Sequence, residues 1–283
     1  KTSTINFKKH ARMDAPVGGA EKTKKMNYIN VISLGAGKQS SYMLLQSLEG
    51  KFEYRPDYAI FSDTGCEPKY VYEYLFWLKD YVFNKYGFEI KIVSKSNLLK
   101  DVERYIDGEI NRVSQLPFFL ENGGIVMRQC TVDYKIAPLR KYLQKIRNNN
   151  KVRLWIGISL DEMERMKNSP VGYIEHYYPL IENKISIDNI VNWFNNSNLP
   201  IPGKSACLIC PFHSTEYWQR FKKEFPEEFE TACLFDEKIR NYPKLNKKAF
   251  IYRKSIPLRD VNFTFEQSLF PELIEECNGL CGL

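Results

Sequence analysis

The stretch Asn30-Val-Ile-Ser-Leu-Gly-Ala-Gly-Lys-Gln-Ser-Ser41 decides the fold. An apolar run from Val31 to Leu34 ends in a loop of small residues, and the helix-like run Tyr-Met-Leu-Leu-Gln-Ser-Leu follows. A buried strand that passes through such a loop into a helix is typical of α/β proteins that bind phosphate at the helix N-terminus. The stretch therefore predicts a strand, a phosphate-binding loop and a helix.

The rest of the chain alternates short apolar runs with longer amphipathic runs. Four runs are predicted as strands (29–34, 57–62, 89–93 and 152–158) and four as helices (38–49, 68–86, 133–147 and 186–196). Strands that alternate with helices favour a parallel sheet with helices on both faces. We therefore predict an α/β, Rossmann-like fold with a small helical, cysteine-bearing C-terminal subdomain. Ligands of such sheets bind beyond the carboxyl ends of the strands.

Charge and composition divide the chain into three predicted parts. The formal net charge is +7, and residues 1–25 contain seven Lys/Arg against two acidic residues. This segment predicts a flexible basic arm, which is either solvated or in contact with nucleic acid. A nucleotide-binding domain is predicted over 26–200 and a cysteine-bearing subdomain over 201–283, divided by a Pro/Gly-containing break.

The chain contains no run of about 18 apolar residues and no secretory signal segment, so neither a membrane span nor export is predicted. Seven cysteines in such a chain indicate a cytoplasmic, reducing environment, where clustered cysteines bind metal or do chemistry rather than form disulfides. Cys66 and Cys233 are interpreted as ordinary packing residues.

The loop itself has the chemistry of an anion site. Small residues at a helix start let backbone N–H groups reach an anion, and the helix dipole adds attraction. Lys38 supplies a charge, and Ser33, Ser40 and Ser41 supply hydroxyl donors. The spacing matches neither the Walker A loop nor the G-x-G-x-x-G fingerprint. A tight strand-to-helix turn whose glycines serve packing is the alternative interpretation.

Six motifs then follow one another in a fixed order. They are SLGAGKQS (33–40), FSDTG (61–65), RQCTVDYKIAPL (128–139), WIGISLDEMERM (155–166), YPLIENKISIDNIVNWF (178–194) and SACLICPFH (205–213). This order resembles the phosphoadenosine phosphosulfate (PAPS) reductase-like branch of the PP-loop (adenine nucleotide alpha-hydrolase) superfamily. The resemblance covers roughly residues 29–215. It extends to PAPS-reductase-like proteins of phage genomes and of DNA-modification or defence loci, and to the DNA phosphorothioation ATP pyrophosphatases.

The resemblance implies the HUP variant of the Rossmann-like fold and an ATP site with Mg²⁺. Lys38, Asp63 and Arg165 take catalytic positions, with Mg²⁺ or the ribose at Asp63. An N-cap or turn role is the alternative for Asp63, and a surface charge is the alternative for Lys135 and Arg165. The implied nucleotide-binding residues are Ser33, Gly35, Gly37, Lys38, Gln39, Ser40, Ser41, Asp63, Thr64, Lys135, Gly157 and Arg165.

Two departures from the family pattern bear on the substrate. Gln39 stands where the ATP pyrophosphatases usually carry Asp, and Ser159-Leu160 replaces the Arg-Arg of many reductases. Because those arginines help to bind the extra phosphate and sulfate of a sulfonucleotide, their absence favours ATP over PAPS.

Five cysteines form the second group of chemical interest. Cys207 and Cys210 form a C-x-x-C chelating turn, and thiolate-rich sites select Zn²⁺ or an Fe–S cluster. The resemblance favours a [4Fe–4S] cluster bound by Cys130, Cys207, Cys210 and Cys277, with Cys281 as the sulfur nucleophile or an alternate ligand. Unconnected buried thiols are the alternative interpretation.

Three functional hypotheses follow. The first is an ATP pyrophosphatase that adenylates a nucleic-acid acceptor for sulfur transfer, as in DNA phosphorothioation or base thiolation, with sulfur supplied by a partner cysteine desulfurase. The second is a thioredoxin-dependent sulfonucleotide reductase in which Cys281 attacks sulfur. The third is a non-catalytic ATP-binding subunit of a larger assembly, which Gln39 would favour.

Overall fold

The computed structural model describes residues 27–263. The predictions about the basic arm (1–25), Cys277 and Cys281 therefore lie outside the described residues. A five-stranded parallel sheet forms the centre, in the order β3-β2-β1-β5-β6. These strands are β1 (Tyr28–Leu34), β2 (Tyr58–Asp63), β3 (Ile90–Ser94), β5 (Lys151–Trp155) and β6 (Ile174–Tyr177). A short antiparallel pair, β4 (Phe119–Leu120) and β7 (Ala249–Phe250), lies apart from the sheet.

Helices connect the strands and continue beyond them. They are α1 (Lys38–Leu48), α2 (Lys69–Tyr86), α3 (Leu98–Ile106), α4 (Ala137–Ile146), α5 (Pro179–Glu182), α6 (Ile187–Asn196), α7 (Thr215–Glu224) and α8 (Pro226–Lys238). A π-helical turn, Thr131–Ile136, leads into α4, and 3₁₀ turns occupy Leu160–Arg165 and Leu258–Asp260. No helix within residues 27–263 is long and apolar enough to cross a membrane.

The period-2 alternation of the strands places apolar side chains on both faces of the sheet. In β1, Ile32 and Leu34 join the cluster that packs under α1, α2 and α6. Val31 joins the opposite cluster, which Leu139 and Leu143 of α4 cover. Because both faces are buried, each central strand reads as a continuous apolar run. The predicted α/β parallel sheet with helices on both faces is confirmed.

A third apolar cluster lies under α3, α7 and α8 and includes the aromatic residues that follow position 208. Cys66 and Cys233 are both buried in it, as the packing interpretation predicts. Because this cluster combines Leu98 and Leu116 with Trp218 and Phe235, it spans the predicted boundary at residue 200. The division into domains at that residue stays a prediction.

One predicted strand needs correction, and one observed strand was not predicted. The strand predicted over 152–158 ends at Trp155, because the chain leaves the sheet there and approaches the N-terminus of α1. The sequence also gave no prediction for β6, whose Glu175 and His176 interrupt the apolar pattern of a parallel strand.

Candidate functional site

The loop after β1 presents an open helix N-terminus. Gly37 is the N-cap of α1, with no side-chain cap hydrogen bond and no acidic residue in the first turn. Ala36 has a φ of 59°, so its backbone adopts the left-handed conformation that makes neighbouring N–H groups converge on an anion. The positive end of the helix dipole adds to this attraction. The loop thus has the backbone geometry of a phosphate site.

Contacts from distant parts of the chain fix this loop. The Ser40 hydroxyl accepts a hydrogen bond from Gly35 N at 3.1 Å, and the Ser205 hydroxyl donates to the Gly35 carbonyl. Gly157 lies against the helix start, where a Cβ atom would come within 3.1 Å of Ser40 Cα and N. Glycine at position 157 therefore permits the close approach of the β5 end to α1.

One cavity joins this loop to the ends of β2 and β5. The implied binding residues that line it are Ser33, Gly35, Gly37, Gln39, Ser40, Lys135, Gly157 and Arg165. Other residues without a predicted role line it as well, among them Ser62, Lys204 and Ser205. Four predicted residues are not part of its lining: Lys38, Ser41, Asp63 and Thr64. Lys38 is half-buried and Ser41 is fully buried within α1.

Gln39 connects the loop to the 3₁₀ turn that carries Arg165. Its Nε2 atom donates to Ser159 Oγ at 2.8 Å and to Glu162 Oε2 at 2.7 Å. Glu162 in turn accepts from Arg165 Nη1 at 2.5 Å. A carboxylate at position 39 would face the carboxylate of Glu162 and repel it. The amide of Gln39 instead donates a hydrogen bond to Glu162. The departure from Asp therefore has a local structural reason.

Asp63 stabilises its own turn at the end of β2. Its Oδ1 atom accepts hydrogen bonds from Gly65 N and from the Tyr72 hydroxyl, each at 2.7 Å. Burial and the hydrogen bond to Asp63 raise the pKa of Tyr72, so this phenol keeps its proton and serves as a donor. These contacts are the ones expected if Asp63 stabilises the turn, which was the alternative to a role in binding Mg²⁺ or ribose.

A second, smaller cavity of about 30 Å³ adjoins the first and is lined by Cys130, Cys207 and Cys210. Thr64 and Lys135 also line it. Within residues 27–263, no three His, Cys, Asp or Glu side chains lie close enough together to hold a single metal ion. The structure thus brings the three predicted cysteines to one cavity, while the proposed fourth ligand, Cys277, lies outside the described residues.

A buried carboxylate that the sequence analysis missed lies beside these thiols. Glu67 Oε1 is 3.3 Å from Lys135 Nζ, accepts from Thr64 Oγ1 at 3.2 Å and lies 3.7 Å from Cys207 Sγ. Burial raises the pKa of Cys207 well above its usual value, and the Glu67 charge raises it further. A thiolate at this position therefore requires a nearby positive charge. Because Lys135 lines both cavities, it connects the two sites.

His213 supports the Cys207–Cys210 turn. Its Nε2 atom lies 2.9 Å from the Cys207 carbonyl oxygen, which assigns the ring proton to Nε2. The ring is buried and stacks on Tyr217 with centroids 3.7 Å apart. Burial lowers the pKa of His213 to about 3, so the imidazole is neutral at pH 7. The contact is a polar support of the turn.

Comparisons with known proteins give distant matches. No family model matches the chain. It is 23% identical over 275 residues to the "Uncharacterized nin region protein ORF290" of Escherichia phage lambda, which covers 88% of this chain and 89% of that protein. Among solved structures, the U34-tRNA thiolase NcsA from Methanococcus maripaludis with its [4Fe-4S] cluster is 18% identical, covers 77% of this chain and 74% of that chain, and has a TM-score of 0.41. At these levels of similarity the function has to be argued from the site itself.

Proposed function

We propose that this chain is a PP-loop ATP pyrophosphatase that adenylates an acceptor so that sulfur can replace one of the acceptor's oxygen atoms. The observation that carries the proposal is one cavity that combines the uncapped N-terminus of α1 with three cationic side chains, Lys135, Arg165 and Lys204. This combination suits a polyphosphate, because backbone N–H groups and cations converge on the same space.

Two of the three cations of the cavity are held in place before a ligand arrives. Glu67 pairs with Lys135, and Glu162 pairs with Arg165. Both carboxylates are largely buried, so each cation has a fixed position with little side-chain entropy left to lose. Preorganised charge of this kind stabilises charge that develops in a transition state.

The proposed reaction has two steps. In the first, an acceptor oxygen attacks the α-phosphorus of ATP, the bond to the β-phosphate oxygen breaks, and Mg²⁺-pyrophosphate leaves. In the second, a sulfur nucleophile attacks the acceptor, and AMP leaves with the original acceptor oxygen. The α1 N-terminus, Lys135 and Arg165 stabilise the phosphate charge in the first step, which is mainly positioning and charge neutralisation.

The cysteine cavity is proposed as the sulfur-handling site. Cys130, Cys207 and Cys210 would bind a [4Fe–4S] cluster together with Cys277: the three thiols line one cavity, and thiolate donors select Fe–S clusters or Zn²⁺. When bound, the cluster would supply an iron–sulfide centre beside the nucleotide. Sulfur would come from a cysteine desulfurase. Anaerobically purified protein should be brown, and Cys207→Ser should remove the colour.

The deciding experiment measures pyrophosphate release from ATP by the full chain, with Mg²⁺ and a panel of DNA and RNA acceptors. We expect acceptor-dependent release, and about a hundredfold loss in Lys135→Gln as the loss of a charged phosphate contact predicts. Lys145→Gln, an exposed lysine of α4, is the matched control and should leave the rate unchanged.

Other outcomes of the same assay identify the competing functions. Sulfite formed from PAPS without ATP turnover would establish the reductase. Tight ATP binding with neither product, across the whole panel, would leave the non-catalytic subunit. Release that is equal in Lys135→Gln and the unmodified chain would contradict the assignment of this cavity.

A further inference from the structure

A third cavity, of about 330 Å³, adjoins the cysteine cavity and has no role in the proposed chemistry. We call it the Tyr105–Tyr242 cleft, after the two aromatic residues that line it. Leu116 lines both this cleft and the cysteine cavity, and Lys135 lines both the cysteine cavity and the nucleotide cavity. The three cavities therefore share walls, in the order nucleotide, cysteine, cleft.

The cleft has an aromatic wall. The rings of Tyr105 and Tyr242 lie with centroids 5.5 Å apart, and Phe118 packs edge-on against Tyr242 at 5.2 Å. Tyr242 is only 6% exposed, yet its hydroxyl has no hydrogen-bond partner in the described part of the chain. A buried hydroxyl without a partner costs free energy, but Tyr74, Tyr177 and Tyr217 have such hydroxyls too. The chemistry of the lining, rather than this hydroxyl, therefore indicates the ligand.

Amide and cationic side chains complete the lining. Asn111, Gln115 and Gln129 provide amide donors and acceptors. Arg112 and Lys244 are exposed cations of the lining, and Lys244 Nζ lies 5.7 Å from the centre of the Tyr105 ring. Among the residues that the structure describes, none of those that line the cleft is acidic. Aromatic rings, amides and cations without carboxylates are the groups that bind an unpaired nucleotide, through base stacking, base edges and phosphate respectively.

The backbone ties this cleft closely to the cysteine site. Gln129 lines the cleft, and the next residue, Cys130, lines the cysteine cavity. The Gln115 carbonyl accepts hydrogen bonds from both Gln129 N at 2.9 Å and Cys130 N at 3.3 Å. A ligand in the cleft that contacts Gln129 therefore contacts the residue next in sequence to Cys130, a predicted cluster ligand.

We propose that the Tyr105–Tyr242 cleft binds an unpaired nucleotide of a single-stranded nucleic acid, with its base against the partly exposed Tyr105 ring and its phosphates near Arg112 and Lys244. The proposal deepens the proposed function, on which it rests, by naming the acceptor class. The volume of the cleft, about 330 Å³, lies in the range of small-molecule sites.

The test uses the full chain without ATP. Dye-labelled single strands of RNA and of DNA, about 12 nucleotides long, are titrated by fluorescence anisotropy, with the corresponding duplexes as comparison. We expect single strands to bind better than duplexes and to lose affinity as salt rises. The RNA and DNA arms show whether the sugar hydroxyl contributes. The absence of single-strand binding at low salt would overturn the proposal.

Variants locate the binding. Tyr105→Ala should weaken it about tenfold through lost stacking, and Lys244→Gln should reduce its salt dependence. Tyr242→Phe keeps the ring and removes a buried, unpartnered hydroxyl, so it should neither change strand affinity nor lower the melting temperature. Phe83→Ala and Lys145→Gln, both exposed on other helices, are the matched controls.

A photocrosslink provides an independent position. A strand that carries 4-thiouridine or 4-thiothymidine should crosslink within the segments 105–118 or 242–245. Crosslinks that map elsewhere, or unchanged affinity in Tyr105→Ala, would overturn the assignment. Strand binding without pyrophosphate release would refute the proposed function and leave this site standing. Pyrophosphate release with an acceptor that does not bind the cleft would refute the cleft as the acceptor site and leave the proposed function standing.

Discussion

Two turns at neighbouring strand ends show how similar backbone positions come to serve different purposes. The loop Gly35–Gly37 follows β1 and the turn Asp63–Gly65 follows β2, and each contains a residue of positive φ, 59° at Ala36 and 67° at Gly65. In the second turn, Asp63 accepts from Gly65 N, and the Asn97 side chain donates to the Gly65 carbonyl at 2.5 Å. Its polar groups are satisfied within the protein.

The first loop is held differently. Ser205 and Ser40 bind the backbone of Gly35, while the start of α1 has no side-chain cap. The contrast teaches that the edge of a parallel sheet offers several helix starts, and that a ligand site forms where the donors remain available. Substitutions in or beside one turn or the other test this difference.

The largest effect is expected for Gly65→Ala. The left-handed backbone costs an alanine about 1–2 kcal/mol, and its Cβ atom would lie 2.9 Å from the Asn97 Cα atom. We expect the free energy of unfolding to fall by about 3 kcal/mol in all, measured by urea denaturation. Gly50→Ala, with a φ of 73° and no atom within 4 Å, isolates the conformational cost and should lose about 1 kcal/mol. Equal losses in both variants would show that the contact with Asn97 is soft.

Gln39→Asp should lower the free energy of unfolding by about 2 kcal/mol at pH 7. The change removes the donor to Ser159 and Glu162 and places two carboxylates together. The loss should shrink as the pH falls, because protonation of the introduced carboxyl removes the repulsion. The double variant Gln39→Asp with Glu162→Gln should recover most of the stability. A double variant no more stable than Gln39→Asp would show that repulsion is unimportant here.

Gly157→Ala should affect the loop without unfolding the protein. The added methyl group meets the Ser40 backbone at 3.1 Å, so the start of α1 must shift by a few tenths of an ångström. We expect ATP affinity to fall about tenfold, or about 1.4 kcal/mol, by isothermal titration calorimetry. Gly172→Ala, which meets no atom within 4 Å, should bind ATP normally. Normal ATP affinity in Gly157→Ala would mean that the phosphates do not contact this helix start.

Local patterns explain what the sequence could predict. Continuous apolar runs, the small residues before α1 and each separate motif are properties of neighbouring residues, and they predicted the sheet and the loop. The short strand Ile174–Tyr177 escaped because its polar residues hide the pattern of a parallel strand.

Long-range partners could not be predicted from such patterns. Ser205 binds Gly35 across 170 residues and Gln39 binds Ser159 across 120, and nothing in either segment specifies the other. Glu67 lies two residues after the motif FSDTG. Its role depends on its contacts with Lys135 and Cys207, which are distant in the sequence and adjacent only in the folded chain. In the sequence alone, Gln39 is a departure from the usual Asp. In the structure, its amide donates a hydrogen bond to Glu162, which a carboxylate could not do at pH 7.

The smallest effect is expected for Asp63→Asn, which tests the turn role directly. An amide oxygen can still accept from Gly65 N and the Tyr72 hydroxyl, but without the negative charge that strengthens both hydrogen bonds. We expect a loss of about 1 kcal/mol in the free energy of unfolding and a rate of pyrophosphate release within about twofold of normal. If Asp63 instead binds Mg²⁺ with the nucleotide, the rate should collapse while stability hardly changes, and excess Mg²⁺ should restore part of it. If Asp63 only stabilises its turn, the substitution lowers stability and leaves the rate nearly unchanged. If Asp63 binds Mg²⁺, the substitution lowers the rate and leaves stability nearly unchanged. This one variant therefore decides whether both turns, or only the loop after β1, belong to the site.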